Sequence, residues 1–219
     1  MRVRDALGIT TRRQKQLARL MEATLIGIVF IGIYEKQFGL VINAGVGVVV
    51  TQLVPLLERD YDVPMDPGLT LWIFAAVTFH AIGAVGWFGG ETLYRGVWWW
   101  DHLTHALSAS VVAGVGYATV RAIDEHADSV SLPPKFIFVF ILLFVLAFGV
   151  LWEVLEFAIA ITADALGTDP ILTQYGLTDT LWDLVFDTLG AIVVATWGSA
   201  HLNDVSGYLR ERMERRAAD

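Results

Sequence analysis

The chain has no cysteine, which excludes disulfides, thiolate nucleophiles and cysteine-ligated zinc. Lysine is scarce: only Lys15, Lys36 and Lys135 occur, so arginine carries most of the positive charge. Charged residues make up 17% of the sequence and the net charge is −8, a balance that does not point to nucleic acid. Residues 1–19 are polar over a long stretch, and no small-x-small cleavage site follows the first apolar run, so no signal peptide is expected. Nucleophilic serine motifs, glycine-rich phosphate loops, internal repeats and low-complexity segments are also missing. What is abundant is apolar: 55% of residues, with a mean hydropathy of +0.57. That is the composition of a membrane protein.

Six apolar segments have roughly the length needed to cross about 30 Å of hydrocarbon: residues 20–34, 40–57, 69–88, 103–123, 136–161 and 181–202. They predict an all-α, polytopic membrane bundle of about six helices forming a single integral domain over residues 1–219. Residues 1–19 would be a basic cytoplasmic or interfacial segment, 20–202 the bundle and 203–219 a charged cytoplasmic tail. The tryptophans at 98, 99 and 100 read as interfacial anchors. Arg2, Arg4, Arg12, Arg13, Lys15 and Arg19 precede the first span, and Arg210, Arg212, Arg215 and Arg216 follow the last. The positive-inside rule then puts both ends in the cytoplasm of a prokaryotic cell, with the membrane as the site of residence.

Within this topology the intramembrane polar residues fall at one depth. Asp101 and His105 open span four at its outer end. Glu153 and Glu156 lie near the outer end of span five, with Asp164 continuing their stripe, and Asp179, Asp183 and Asp187 open span six. His80 and Glu91 are placed on one face of span three, while His102, about 100° round the helix from Asp101, falls outside the cluster. Ala106, Ser110, Gly114 and Ala118 form a stripe of small residues that lets a neighbouring helix come close.

A carboxylate in hydrocarbon costs at least about 2.5 kcal/mol, and crowded carboxylates cannot all ionise without a counter-charge. No lysine or arginine of spans four to six lies near them. They must share protons or bind cations. Carboxylates with imidazole form a ligand set for a divalent metal (Mg, Mn, Zn or Fe), and enough of them are present for two ions. The expected ligands are Asp101, His105, Glu153, Glu156, Asp183, Asp187 and Asp179, the last having helix capping as its simpler role. Asp101 either ligates or orients His105. Glu156 is the expected general base, which makes Glu156 and Asp101 the catalytic candidates.

The motifs Trp100-Asp-His-Leu-Thr-His105, Leu151-Trp-Glu-Val-Leu-Glu156 and Thr178-Asp-Thr-Leu-Trp-Asp183 resemble, in this order, those of the YjdF-like family of uncharacterised multi-span inner-membrane proteins. The resemblance covers spans four to six. Relatives often carry a further aspartate just before the Asp-Thr pair, where this chain has Gly176-Leu177-Thr178. It implies a multi-span membrane protein and brings no activity with it. The residues themselves lead to a metal-dependent hydrolase or transferase acting on a lipid or amphiphile from the outer leaflet. The alternatives are a cation transporter or channel using the same carboxylates, and a non-catalytic scaffold. Transport would need polar residues continuing to the inner face, and residues 136–150 are wholly apolar.

Overall fold

The structure is a computed structural model that describes residues 10–65, 67–86, 90–126, 131–168, 170–172, 174–197 and 199–218. Arg2, Arg4 and the expected end of span three at Phe88 lie outside the described residues. Among the described residues eight helices follow one another: α1 (Thr11–Glu35), α2 (Phe38–Tyr61), α3 (Pro67–Gly83), α4 (Leu93–Gly96), α5 (Trp100–His126), α6 (Pro134–Leu166), α7 (Leu177–Trp197) and α8 (Ser199–Ala218). Among the described residues the only β pairing is an isolated bridge between Gly86 and Thr92.

The boundaries have local causes. Thr10 caps α1 by accepting the Arg13 amide, so helix extends back into the basic segment. Lys36 closes α1 in the left-handed region, its amide turned onto Gly32 and Ile33 carbonyls, and the chain reverses at once into α2. Proline at the first helical turn starts α6. α3 ends at Gly83, so Glu91 lies beyond it in the connection to α4. The expected shared face for His80 and Glu91 is therefore incorrect: the helix that carries His80 ends at Gly83.

α1, α2, α5 and α6 are long and apolar enough to cross a membrane, while α3 is a shorter apolar helix of 17 residues. α7 has 21 residues, about 31 Å, and carries the aspartates in its first half. The accessibility pattern is inverted relative to a water-soluble bundle. Leu151, Val154 and Phe157 of α6 are 64%, 57% and 53% exposed, while Glu153 between them is 5% exposed and Asp183 opposite is 2%. Apolar residues face outward and carboxylates inward because the surrounding medium is hydrocarbon.

The helices pack as two groups. In the first, Leu25 and Ile28 of α1 meet Leu40 and Ala44 of α2 and Ala81 of α3. In the second, Ala109, Ala113 and Tyr117 of α5, Ile141 and Val145 of α6 and Ala191 and Val194 of α7 form one core. α3 joins them, its Trp72 indole donating to the Ser110 hydroxyl at 3.0 Å. α8 folds back on the ends of α2 and α5: the Arg212 guanidinium lies 5.7 Å over the Tyr61 ring, and Arg210 lies 3.9 Å from Glu125.

α5 and α7 approach closely at Gly190. A Cβ there would lie 2.3 Å from the Ala106 carbonyl oxygen and 3.2 Å from the Ser110 amide. α7 thus sits directly on the small-residue row of α5, and this approach sets the geometry of the polar cluster one to two turns away.

Candidate metal centre

α5 begins at Trp100, so Asp101, His102 and His105 occupy its first turns. α7 presents Asp183 and Asp187 to them, and α6 presents Glu153 and Glu156, all four buried. His105 stands at the centre. Its Nδ1 is 3.3 Å from Asp187 Oδ1, and its Nε2 is 3.6 Å from Asp101 Oδ1 and 3.9 Å from Asp183 Oδ2. Only the first distance and atom pairing make a hydrogen bond; the other two are too long for one. With the Nδ1 proton directed at Asp187, the Nε2 lone pair faces the gap between Asp101 and Asp183.

Ligand atoms of Asp101, His105 and Asp183 lie within 4.8 Å of one another. Two atoms about 2.0–2.2 Å from one ion stand about 3–4 Å apart at tetrahedral or octahedral angles, so the spacing suits a single cation with slight closure. The Oδ1 of Asp183 and Nδ1 of His102 are both buried without a hydrogen bond, 3.5 Å apart. Among the described residues no lysine or arginine pairs with Asp101, Asp183 or Asp187.

The remaining expected ligands have protein partners. Glu153 Oε2 accepts from the Thr180 hydroxyl at 2.7 Å and from the Gln174 amide at 3.5 Å. Glu156 accepts the Trp152 indole N–H at 3.0 Å and lines the same cavity as Asp101 and His105. Asp179 accepts the Tyr175 backbone amide at 3.1 Å, holding the turn before α7. Asp164, near the end of α6, is exposed.

His102 corrects the sequence expectation. Its ring stacks on Phe186 at 4.7 Å with an interplanar angle of 7°, Trp98 and Trp182 approach its edges, and Nδ1 faces Asp183. The physical reason is the seat of α7. His102 is one turn before Ala106, on the same small-residue row that Gly190 touches, so α7 covers that row as well as the Asp101–His105 line. The stripe itself was the signal. Gly149 is a second residue the motifs did not point to: a Cβ there would lie 2.5 Å from Asp187 Oδ2, so only glycine leaves room for this carboxylate beside α6. Tyr94 is a third, its hydroxyl 2.7 Å from His80 Nδ1 and donating to the His80 carbonyl at 3.1 Å. Burial raises the Tyr94 phenol well above its usual ionisation range, so it stays a protonated donor.

Two cavities meet here. A cavity of about 820 Å³ is lined by Asp101, His105, Glu156, His80 and Tyr94, and by the α1–α2 turn and the link after α6. A second, of about 430 Å³, is almost wholly apolar and lies between α2, α3, α5 and α6. Asn43, His80 and His105 line both.

An all-helical membrane bundle whose inward carboxylates and histidine form a candidate metal-binding group is thus the class of protein that fold and site define. Residues 17–204 match the family described as predicted membrane protein DUF2238, and the chain belongs to that family. It is also similar to an uncharacterized protein of Thermotoga maritima, 32% identical over 129 residues. That match covers 57% of this chain and 58% of the relative's length. No solved structure matches the chain.

Proposed function

We propose that this protein is a metal-dependent hydrolase or transferase that acts on a phosphate or ester group of a lipid or amphiphile. The observation that carries the reading is the trio of Asp101, His105 and Asp183, whose ligand atoms lie within 4.8 Å of one another beside a cavity of about 820 Å³. One divalent ion (Mg, Mn, Zn or Fe) on these three residues balances the buried charge and leaves coordination positions free for substrate. Asp187 then acts through His105, holding its Nδ1 proton so that Nε2 ligates; Asp187, expected as a ligand, takes the orienting role, and Asp101 keeps the ligand role that was one of its two expected ones. His102 backs Asp183. A bound cation supplies Lewis acidity toward a phosphoryl or carbonyl oxygen. Glu156 faces the cavity and is the general base for an attacking water, its second oxygen free of the Trp152 hydrogen bond.

Two features favour chemistry over transport. The core beneath the trio is formed by Ala109, Ala113, Val145, Ala191 and Val194, all buried and apolar, so among the described residues these positions offer no polar path along α5–α7. The cavity, in contrast, lies at the end of the bundle where α1 turns into α2, the side that basic-residue counting assigns to the outer leaflet.

The test is metal-dependent turnover. Protein reconstituted in total prokaryotic lipid with added Mn²⁺ or Zn²⁺ should convert one class of phosphate- or ester-bearing lipid, followed by mass spectrometry, and Asp183→Asn should not. Unchanged lipids together with cation flux in sealed proteoliposomes would replace the enzyme with a transporter; neither turnover nor flux would leave a scaffold.

A further inference from the structure

The apolar cleft has an order in depth that neither the trio nor its chemistry requires. On three of its helices a polar residue stands at the same end, and on α6 the Trp152 indole does. Asn43 on α2, His80 on α3 and His105 on α5 mark the end shared with the polar cavity. One to two turns further along α2, α3, α5 and α6 come Val50, Ala76, Val112 and Val145. α2 and α5 run away from the polar end and α3 and α6 run toward it, so all four strings of side chains agree on the direction. From Asn43 to Val50 on α2, and from His105 to Val112 on α5, the cleft extends about 10 Å below the site.

The cleft is also open sideways. Val46 and Phe148, on its two flanks, are 58% and 48% exposed on a surface that faces lipid. α6 packs on α5 and α7, while α2 packs on α1 and α3, which leaves the gap between α2 and α6 unfilled. At the polar end Asn43 Oδ1 is buried without a hydrogen-bond partner. A water-filled vestibule would have polar walls to hold its water, and these walls are mostly apolar, with Thr104, Ser108 and Asp187 confined to the turns next to His105.

We propose that this cleft holds one hydrocarbon chain of a membrane amphiphile whose oxyanion head lies at the Asp101–His105–Asp183 trio. The proposal rests on the metal reading above and names the substrate's form. It places the bond to be cut or transferred at the junction of the two cavities, beside His105 and within reach of Glu156. Because lipid tails are as apolar as the cleft, moving a chain from the bilayer into it yields little binding energy. The cleft therefore positions the substrate, and double-chain lipids would keep their second tail in the bilayer through the opening between Val46 and Phe148.

The test uses the full-length protein in phosphatidylcholine nanodiscs, an alkyl phosphate bearing a diazirine on its chain, and mapping of adducts by mass spectrometry. Adducts are expected on residues of the cleft such as Val50, Ala76 and Val112 in preference to lipid-facing Val49 and Leu143, which lie outside it. Val46→Trp, at the exposed mouth, should reduce cleft labelling at least five-fold, and Val49→Trp should not. An alkanol probe lacking the oxyanion should label the cleft several-fold less. Mn²⁺ binding is measured on the same samples. Labelling spread evenly over the lipid-facing surface and indifferent to Val46→Trp would overturn the proposal, and with Mn²⁺ still bound it would do so without touching the metal reading. Cleft labelling equal for phosphate and alkanol, with no Mn²⁺ bound, would remove the metal and the head-group half together and leave only a chain site.

Discussion

His105 and Asp187 are joined by one contact, Nδ1 to Oδ1 at 3.3 Å, and this contact decides which way the imidazole faces. It turns Nε2 to the space between Asp101 and Asp183. An imidazole pinned on one nitrogen by a carboxylate is more basic at the other and pays less conformational entropy on ligation, which is how buried carboxylates support metal-binding histidines.

Asp187→Asn should therefore weaken divalent-metal binding without abolishing it. The amide keeps the shape but loses the charge, and a loss of about 10–100-fold in affinity is expected. His105→Ala and Asp183→Asn, which remove ligands, should eliminate specific binding. Mn²⁺ titration of the purified protein separates the two classes. Equal loss in all three would make Asp187 a ligand.

Gly149→Ala should act on the site more than on the fold. Its Cβ would lie 2.5 Å from Asp187 Oδ2 and 3.0 Å from Leu184 Cδ2, so the carboxylate must swing away from His105. Metal affinity should fall at least as far as in Asp187→Asn, measured by the same titration. Unchanged affinity would mean that the Asp187–His105 contact is dispensable.

Gly190→Ala should act on the fold. A Cβ 2.3 Å from the Ala106 carbonyl oxygen meets backbone that cannot rotate aside, so α5 and α7 must separate. A loss of about 1–3 kcal/mol or more is expected, read as a lower thermal unfolding midpoint in detergent, together with loss of the metal site.

Asp179→Ala separates capping from ligation. The side chain holds the Tyr175 amide before α7, and its loss should cost about 0.5–1.5 kcal/mol of stability, the worth of one hydrogen bond, while Mn²⁺ affinity stays within about two-fold. A metal-binding defect larger than the stability defect would return Asp179 to the ligand set.

The sequence carried the fold well because hydrocarbon imposes it: apolar length defines the long helices, and each expected span falls mainly on one helix, although the sixth, 181–202, runs past the end of α7 at Trp197 into α8. It carried the depth of the polar residues for the same reason, since the topology places residue 105, residue 153 and residue 183 at one level. Rotational detail was harder to read. His102 was assigned away from the cluster by the angle between adjacent residues on one helix. That angle says nothing of where a partner helix sits, and α7 is wide enough to face both His102 and His105. The small-residue row through Ala106 contained the answer, because His102 lies one turn before it on the same face. Gly149 could not be read at all, since its role depends on a carboxylate 38 residues later in the chain. The helical end of span three was overestimated because apolar residues continue past Gly83, whereas hydrogen bonding of the helix does not.

The most direct test of the account is the metal content of protein purified without chelator, by inductively coupled plasma mass spectrometry, for the wild type beside Asp183→Asn and Glu153→Gln. The account predicts about one divalent ion per chain, lost in Asp183→Asn and kept in Glu153→Gln, whose partners are Thr180 and Gln174. A well-folded wild type that carries no metal and takes up none from added Mn²⁺ or Zn²⁺ would contradict it, and would leave the buried carboxylates and His105 as a network that shares protons.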